Sequence, residues 1–288
     1  VIDHNKDVLK QSLLNHIIEE KEEMTTDYHK SLGFDWNMPD FIVSVSQIDY
    51  TTLSKTSLSD KAIHYHHQVY RIAEQLTANK RSFSAFLDKQ YNLVILYNFR
   101  AKLSENHYDE LKSFLREIHR EVKRQLGLFL YFYYSDISAK SSLGTVIKKL
   151  YKQRYHHFYK PIYSIYQKIP DESKIQCINY QNMVHNFQEH VLRVIDQDEE
   201  DIQEAVTQLQ HTIQALKLDP IQLKKEFQEN GSQITPSSNV YTENFILCEE
   251  NVITLDQFIY LLSVKMEWFK EERIESNNQV TINQNQKL

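Results

Sequence analysis

Three histidines crowd into one stretch, His64, His66 and His67, and two more, His156 and His157, lie further along. Side chains three apart share a helix face, so His64 and His67 could hold a metal ion between them. A zinc site asks for more, a dense set of Cys, His or carboxylate at fixed spacing such as HExxH. No such set accompanies these histidines, and a scatter of histidines over helix surfaces accounts for them equally well. Cys177 and Cys248 stand far apart without CxxC spacing, which speaks against a disulfide framework and a structural zinc. No GxSxG elbow presents a serine. Glu199 with Glu200 and Glu271 with Glu272 are adjacent in sequence, and adjacent helical side chains point apart rather than sharing an acid–base site. There are 4 glycines where average usage would place ~20, and no two lie close together. Rossmann fingerprints, P-loops and kinase lids all need glycine where backbone meets phosphate. The expectation is a protein that is not an enzyme and needs no metal or cofactor.

Two further clusters invite a binding role. Residues 129–134 with Tyr151, Tyr155, Phe158, Tyr159, Tyr163 and Tyr166 could stack on bases. Against this, 33 Lys and Arg face 39 Asp and Glu, a net charge of −6, whereas phosphate binding needs a basic excess. Core and interface packing is the better use of that stripe. The basic patch Lys148, Lys149, Lys152, Arg154, His156, His157 and Lys160 could meet an anion or an acidic partner, or could be a solvated helix face.

The elements that would position these groups divide the chain in two. With 288 residues it has the length of one large or two smaller domains. A hydrophobic fraction of 41%, including 18 Tyr and 14 Phe, supplies a core that a disordered chain lacks. Helical spacing of Val8, Leu9, Leu13, Leu14, Ile17 and Ile18 predicts a helix over 7–23. Gly33 and Pro39 bracket a loop. Strands are predicted at 41–48, 82–87, 92–99 and 128–134, and helices at 60–78, 106–125 and 143–159. Asp88-Lys89-Gln90-Tyr91 is a hairpin turn between the second and third strands, and Gly127 caps a helix end. Pro161 and Pro170 mark the exit from this region. This order, with one antiparallel hairpin and parallel crossovers, predicts an α+β fold: a ferredoxin-like sheet with packed helices.

The second half reads as all-helical: 180–216 with a break at the acidic run 196–201, a short helix after Asp219-Pro220, a loop over 231–251, and a last helix capped by Thr254. The expected boundaries are 1–40, 41–170, 171–275 and a polar linker at 276–288. No apolar run reaches the ~20 residues of a membrane span, and no signal peptide opens the chain, so a cytoplasmic location is expected. Val1 stands where a Met would begin a gene product, which suggests a piece of something longer.

Residues 7–166 resemble the middle region of large AraC/XylS-type transcriptional regulators. In that family a helix of the form FLxxLLxG precedes a small loop and a strand ending in Asp; residues 9–18, 33–39 and 41–49 correspond, with Asp49 at the strand end. A degenerate GGDEF-like, nucleotide-cyclase-like domain follows. Its last strand and aromatic helix find counterparts at 128–135 and 143–160, where Leu150, Tyr151, Tyr155, His156, His157, Phe158 and Tyr159 echo the helix. The chain departs from the pattern at the signature hairpin, Leu87-Asp88-Lys89-Gln90-Tyr91-Asn92, which lacks both glycines and the acidic pair. In active cyclases those glycines admit the nucleotide and the carboxylates hold metal, so the resemblance implies no cyclase activity. The helical second half resembles the linker that precedes paired helix-turn-helix motifs.

The resemblance implies a non-catalytic regulatory and dimerisation segment of a cytoplasmic transcription regulator. It would self-associate as a homodimer, receive a small-molecule or protein signal, and touch DNA only through domains outside this chain. The expected dimer and relay helix carries Leu255, Phe258, Ile259, Leu262, Met266 and Phe269 on one face. A stand-alone domain binding a small molecule in an aromatic pocket is the alternative. A metal enzyme built on His64 and His67 is a third.

Overall fold

A computed structural model describes residues 2–19, 28–159, 166–168, 179–197, 202–237 and 239–285. In chain order the elements begin with helices α1 (Ile2–Ile18) and α2 (Tyr28–Ser31), strand β1 (Asp40–Ile48), and helices α3 (Lys55–Asp60) and α4 (Ala62–Thr77). Strands β2 (Phe83–Leu87) and β3 (Leu93–Phe99), helix α5 (His107–Leu126), and strands β4 (Leu130–Tyr134) and β5 (Ser138–Ala139) follow. Helix α6 (Leu143–Gln153) and strand β6 (Tyr166–Lys168) lead to helices α7 (Tyr180–Gln197), α8 (Ile202–Leu216), α9 (Pro220–Asn230), α10 (Glu243–Glu250) and α11 (Leu255–Asn285). The described residues form two units. One draws on Val1–Leu53, Lys61–His156 and Ile162–Glu172, the other on Ser54–Asp60, His157–Pro161 and Ser173–Leu288.

The first unit is mixed α and β. Its sheet runs β2-β3-β1-β4-β6, with β5 pairing the start of β1. β1–β3, β1–β4 and β2–β3 are all antiparallel, and β4–β6 is parallel. This corrects the expectation of a single antiparallel pair. The hairpin seats β3 beside β1, so each helical crossover joins two parallel strands that have an antiparallel strand between them.

Register assigns the faces. Ile42, Ser44 and Ser46 of β1 align with Tyr97, Ile95 and Leu93 of β3. This face meets α4 and α5, through contacts such as Phe83 against Phe114 at 4.2 Å. Phe41, Val43, Val45 and Gln47 point the other way, where α6 packs on β1 and α1 packs on β2 and α6. Both faces are covered, so β1, β2 and β3 are buried almost throughout; β2 and β3 read as largely apolar runs, whereas β1 also buries Ser44, Ser46 and Gln47. Leu111, Phe114, Leu115, Ile118 and Val122 of α5 are buried, and Gly127 (φ 70°) closes the helix with its N–H on the Lys123 carbonyl. In α1 only Leu13 and Leu14 of the predicted stripe are fully buried, whereas Val8 and Leu9 are exposed. Trp36 fills the 33–39 loop, stacked on Phe34 at 5.2 Å and donating to the Ser84 hydroxyl at 3.2 Å. α1 is thus part of this unit rather than a segment of its own. Pro161 and Pro170 lie outside the described residues.

The second unit is helical. α7 packs on α8 and α9, α8 on α11, and α10 on α3. Aromatic contacts run from Phe187 to Phe227 (5.8 Å), from Phe227 to Phe258 (5.3 Å), and separately from Phe245 to Trp268 (4.9 Å). Two segments with no predicted helix are helical. The Thr/Ser-rich stretch after β1 holds α3, whose first turn is capped by Ser54 accepting from the Ser57 N–H at 3.2 Å. The 231–251 loop contains α10, capped by Thr242, whose hydroxyl also donates to the Ser59 carbonyl. Asp219 and Thr254 cap α9 and α11 through the N–H groups of Ile221 and Gln257, both at 3.2 Å. The polar stretch expected as a linker from residue 276 continues α11 to Asn285. The acidic run at 198–201 lies outside the described residues.

Candidate functional site

The hairpin tip is the first place to look for chemistry. Asp88 ends β2 with its side chain turned inward, and the residue is 1% exposed. Its carboxylate accepts from the N–H groups of Gln90 (2.8 Å) and Asn92 (2.7 Å), the Asn92 amide (3.2 Å) and the Tyr151 hydroxyl of α6 (2.8 Å). Burial pushes this carboxyl above the usual range, and the donors from Asn92 and Tyr151 oppose that rise. Gln11 of α1 donates to the Asp88 carbonyl at 3.0 Å. Tyr91 adopts a left-handed conformation (φ 60°), which a tight turn demands and a glycine would have adopted freely.

His66 holds that turn from behind. Its Nδ1 lies 2.8 Å from the Tyr91 carbonyl, which can only accept, so Nδ1 carries the proton. Nε2 therefore accepts from the Tyr50 hydroxyl at 2.9 Å. Burial lowers the His66 pKa to about 4, so the ring is neutral at physiological pH. His64 and His67 are exposed, and His67 sets its ring edge-on to Tyr91 at 5.2 Å. Among the described residues no group of three or more His, Cys, Asp or Glu could hold a metal ion.

Asp49, at the end of β1, is equally committed. It accepts from the Tyr131 hydroxyl (2.7 Å) and from the Thr51 N–H (3.1 Å) and hydroxyl (2.7 Å), capping the short 3-10 turn at Tyr50–Thr52. Behind the tip, on the α6 side of the sheet, Gln47 is buried with neither amide atom hydrogen-bonded, and the Tyr133 hydroxyl is buried without a partner. Arg154 donates from Nη2 to the Tyr155 hydroxyl at 2.9 Å. Of the basic patch, Lys148, Lys149 and Lys152 are exposed, and Lys160 lies outside the described residues.

The second place is a cleft of about 690 Å3 bounded by α1, residues 32–35, the last turns of α4 and the start of β2. On its floor Lys10, 4% exposed, donates to the Tyr70 hydroxyl (2.9 Å) and pairs with Glu74 (3.0 Å). The rings of Tyr70, Phe34 and Phe86 surround its ammonium at 5.1, 5.5 and 5.7 Å. Burial lowers the Lys10 pKa against the pull of Glu74. Burial alone would raise Glu74, but the Lys10 ammonium brings it below the usual carboxylate range. Tyr70 also donates to Asp7 (3.1 Å), and Arg71 reaches Asp7 (2.6 Å) and Glu74 (3.2 Å). Nothing in the sequence marks Lys10, because it sits beside an apolar stripe and its partners lie on α4. Asp88 carried a signal, an aspartate two and four residues before the amides it accepts from.

The positions expected to form a dimer and relay helix fall in the second unit. Leu255, Phe258, Ile259, Leu262 and Met266 are buried there, and Phe269 is partly exposed. Leu261, Val264 and Trp268, off the predicted stripe, are buried too. The first half of α11 is therefore packed on several sides. Phe258 and Leu262 line a cavity of about 40 Å3 with Lys224, Phe227 and Lys265. Cys248 is a buried thiol, pushed up in pKa by burial, and Cys177 lies outside the described residues.

Comparison with protein-family models, curated proteins and solved structures finds no match. No helix among the described residues is long and apolar enough to cross a membrane.

Proposed function

We propose that this chain is a non-catalytic regulatory and dimerisation segment of a cytoplasmic AraC/XylS-type transcription regulator, relaying a signal to helix-turn-helix domains outside it. The observation that carries this reading is the state of the hairpin tip. Where a cyclase would offer glycine backbone and free carboxylates to a nucleotide and its metal, Asp88 is enclosed by four donors and Tyr91 fills the turn. The β2-β3-β1-β4 order with α4 and α5 as crossovers supports a ferredoxin-like, degenerate cyclase-like reading of the sheet. The exposed half of α11, with Ile274, Val280 and Ile282 outward, offers an output element continuous with a buried root.

Sedimentation over a concentration range, with and without GTP and magnesium, tests this. The expected result is a concentration-dependent dimer indifferent to the nucleotide. A strict monomer removes the dimerisation role, and turnover of GTP removes the non-catalytic one. The cleft over Lys10 favours a second reading, a sensor domain for a small molecule, because its volume lies within the ~300–1,000 Å3 of ligand pockets.

A further inference from the structure

We infer that the cleft between α1, α4 and the start of β2 binds a small organic anion, with a carboxylate or phosphate at Lys6 and Arg81 and an apolar body against Phe34 and Phe83. This rests on the sensor reading and names its ligand class. Four cations line the cleft, Lys6, Lys10, Arg71 and Arg81, against three carboxylates, Asp7, Asp35 and Glu74. The carboxylates are already engaged. Glu74 is paired with Lys10 (3.0 Å) and Arg71 (3.2 Å), Asp7 with Arg71 (2.6 Å), and Asp35 accepts from the Asn37 amide. Lys6 and Arg81 are exposed, and neither has an ion-pair partner among the described residues.

The last turn of α4 reaches the cleft at Thr77 and Ala78, and free helix carbonyls there would repel an anion. They are not free. The Glu74 carbonyl accepts from the Thr77 hydroxyl (2.7 Å), the Gln75 carbonyl from the Ala78 N–H (3.3 Å), and the Thr77 carbonyl from the Lys80 N–H (2.9 Å). An organic cation has no uncommitted carboxylate to meet, and the ring cage that would suit it already holds the Lys10 ammonium. The floor is rigid, because the Lys10 ammonium is held by the Tyr70 hydroxyl at 2.9 Å and the Glu74 carboxylate at 3.0 Å. With Lys10 and Arg71 balanced by Glu74 and Asp7, the excess positive charge of the cleft lies on Lys6 and Arg81, where an arriving anion would meet it.

Calorimetric titration of the whole chain with benzoate, phenyl phosphate, benzamide and benzylamine tests the inference. Binding of benzoate or phenyl phosphate is expected, with the neutral and cationic compounds silent, and the two anions tell carboxylate from phosphate. A Lys6→Ala, Arg81→Ala double variant, both positions being on the surface, is expected to bind at least about tenfold more weakly. Equal binding of benzamide or benzylamine, silence from both anions, or unchanged affinity in the double variant overturns it. The titration does not read self-association. A chain that dimerises yet ignores all four compounds loses this inference and keeps the relay, and a monomer that binds an anion does the reverse.

Discussion

The two units bury polar groups for different ends. In the first, ionisable side chains are enclosed and held by partners distant in sequence: Lys10 by Tyr70 and Glu74, Asp88 by Tyr151, His66 by Tyr50 and Tyr91. In the second, several enclosed polar groups serve helix ends, and one enclosed ion pair, Lys265 with Glu249 at 3.2 Å, stands beside them. Gln257 accepts from the Ile253 N–H at 3.1 Å while its own N–H donates to Thr254 at 3.2 Å, and an apolar aromatic core does the packing. A buried ionic group is costly unless every partner is present, so the first unit has tight dependencies on particular residues and on pH. The second depends more on volume and apolarity, the Lys265–Glu249 pair apart.

Replacing an apolar core residue of the second unit by a charge tests that contrast most severely. Met266 has no exposed surface, and Met266→Asp is expected to cost more than about 4 kcal/mol in denaturant unfolding. A change below about 1 kcal/mol would show that α11 is not rooted in this core. In the first unit, Lys10→Ala leaves Glu74 only Arg71 and the Tyr70 hydroxyl and opens a hole between rings, at an expected cost of about 3 kcal/mol. A Lys10→Met, Glu74→Leu pair, which removes both charges, should recover most of it, and failure to recover would mean that packing rather than charge dominates there.

His66 contributes a pH dependence of its own. Its pKa is about 4 in the folded chain against an ordinary 6.5, so between those values the unfolded chain takes up a proton that the folded chain refuses. The His66 contribution to stability then falls as pH drops from about 6.5 toward 4, by about 3 kcal/mol at ~1.4 kcal/mol per pH unit. His66→Gln cannot titrate and should flatten that slope whatever its absolute stability, and an unchanged slope would assign the effect elsewhere. The smallest effect belongs to the outer half of α11. Ile274 is exposed, and Ile274→Ser should change stability by less than about 0.5 kcal/mol. In the proposed relay the same substitution weakens the dimer seen in sedimentation, and unaltered association would move the interface off that face.

Strand and helix types in the first unit were legible because β-branched runs and amphipathic spacing are local properties. β2, β3 and α5 fall where Phe83, Leu93 and Leu111 begin their patterns, and Gly127 ends its helix for the backbone reason expected of it. α3 and α10 were not legible, because their caps, Ser54 and Thr242, sit in polar stretches that read equally well as loop. Their helices hold by packing on each other. The Leu255 to Phe269 stripe was legible as apolar, but apolarity does not say whether a face meets its own unit or another chain. Packing put five of its six residues inside.

The residue order by itself determined the mixed α and β first half, the helical second half and the hairpin turn at 88–91, since each depends on neighbours within one or two turns of chain. Only the tertiary structure decided that Lys10 meets Glu74, that Asp88 meets Tyr151 and that His66 braces Tyr91. Those pairs join residues 64, 63 and 25 positions apart, and contacts at such separations leave no periodic trace in the sequence.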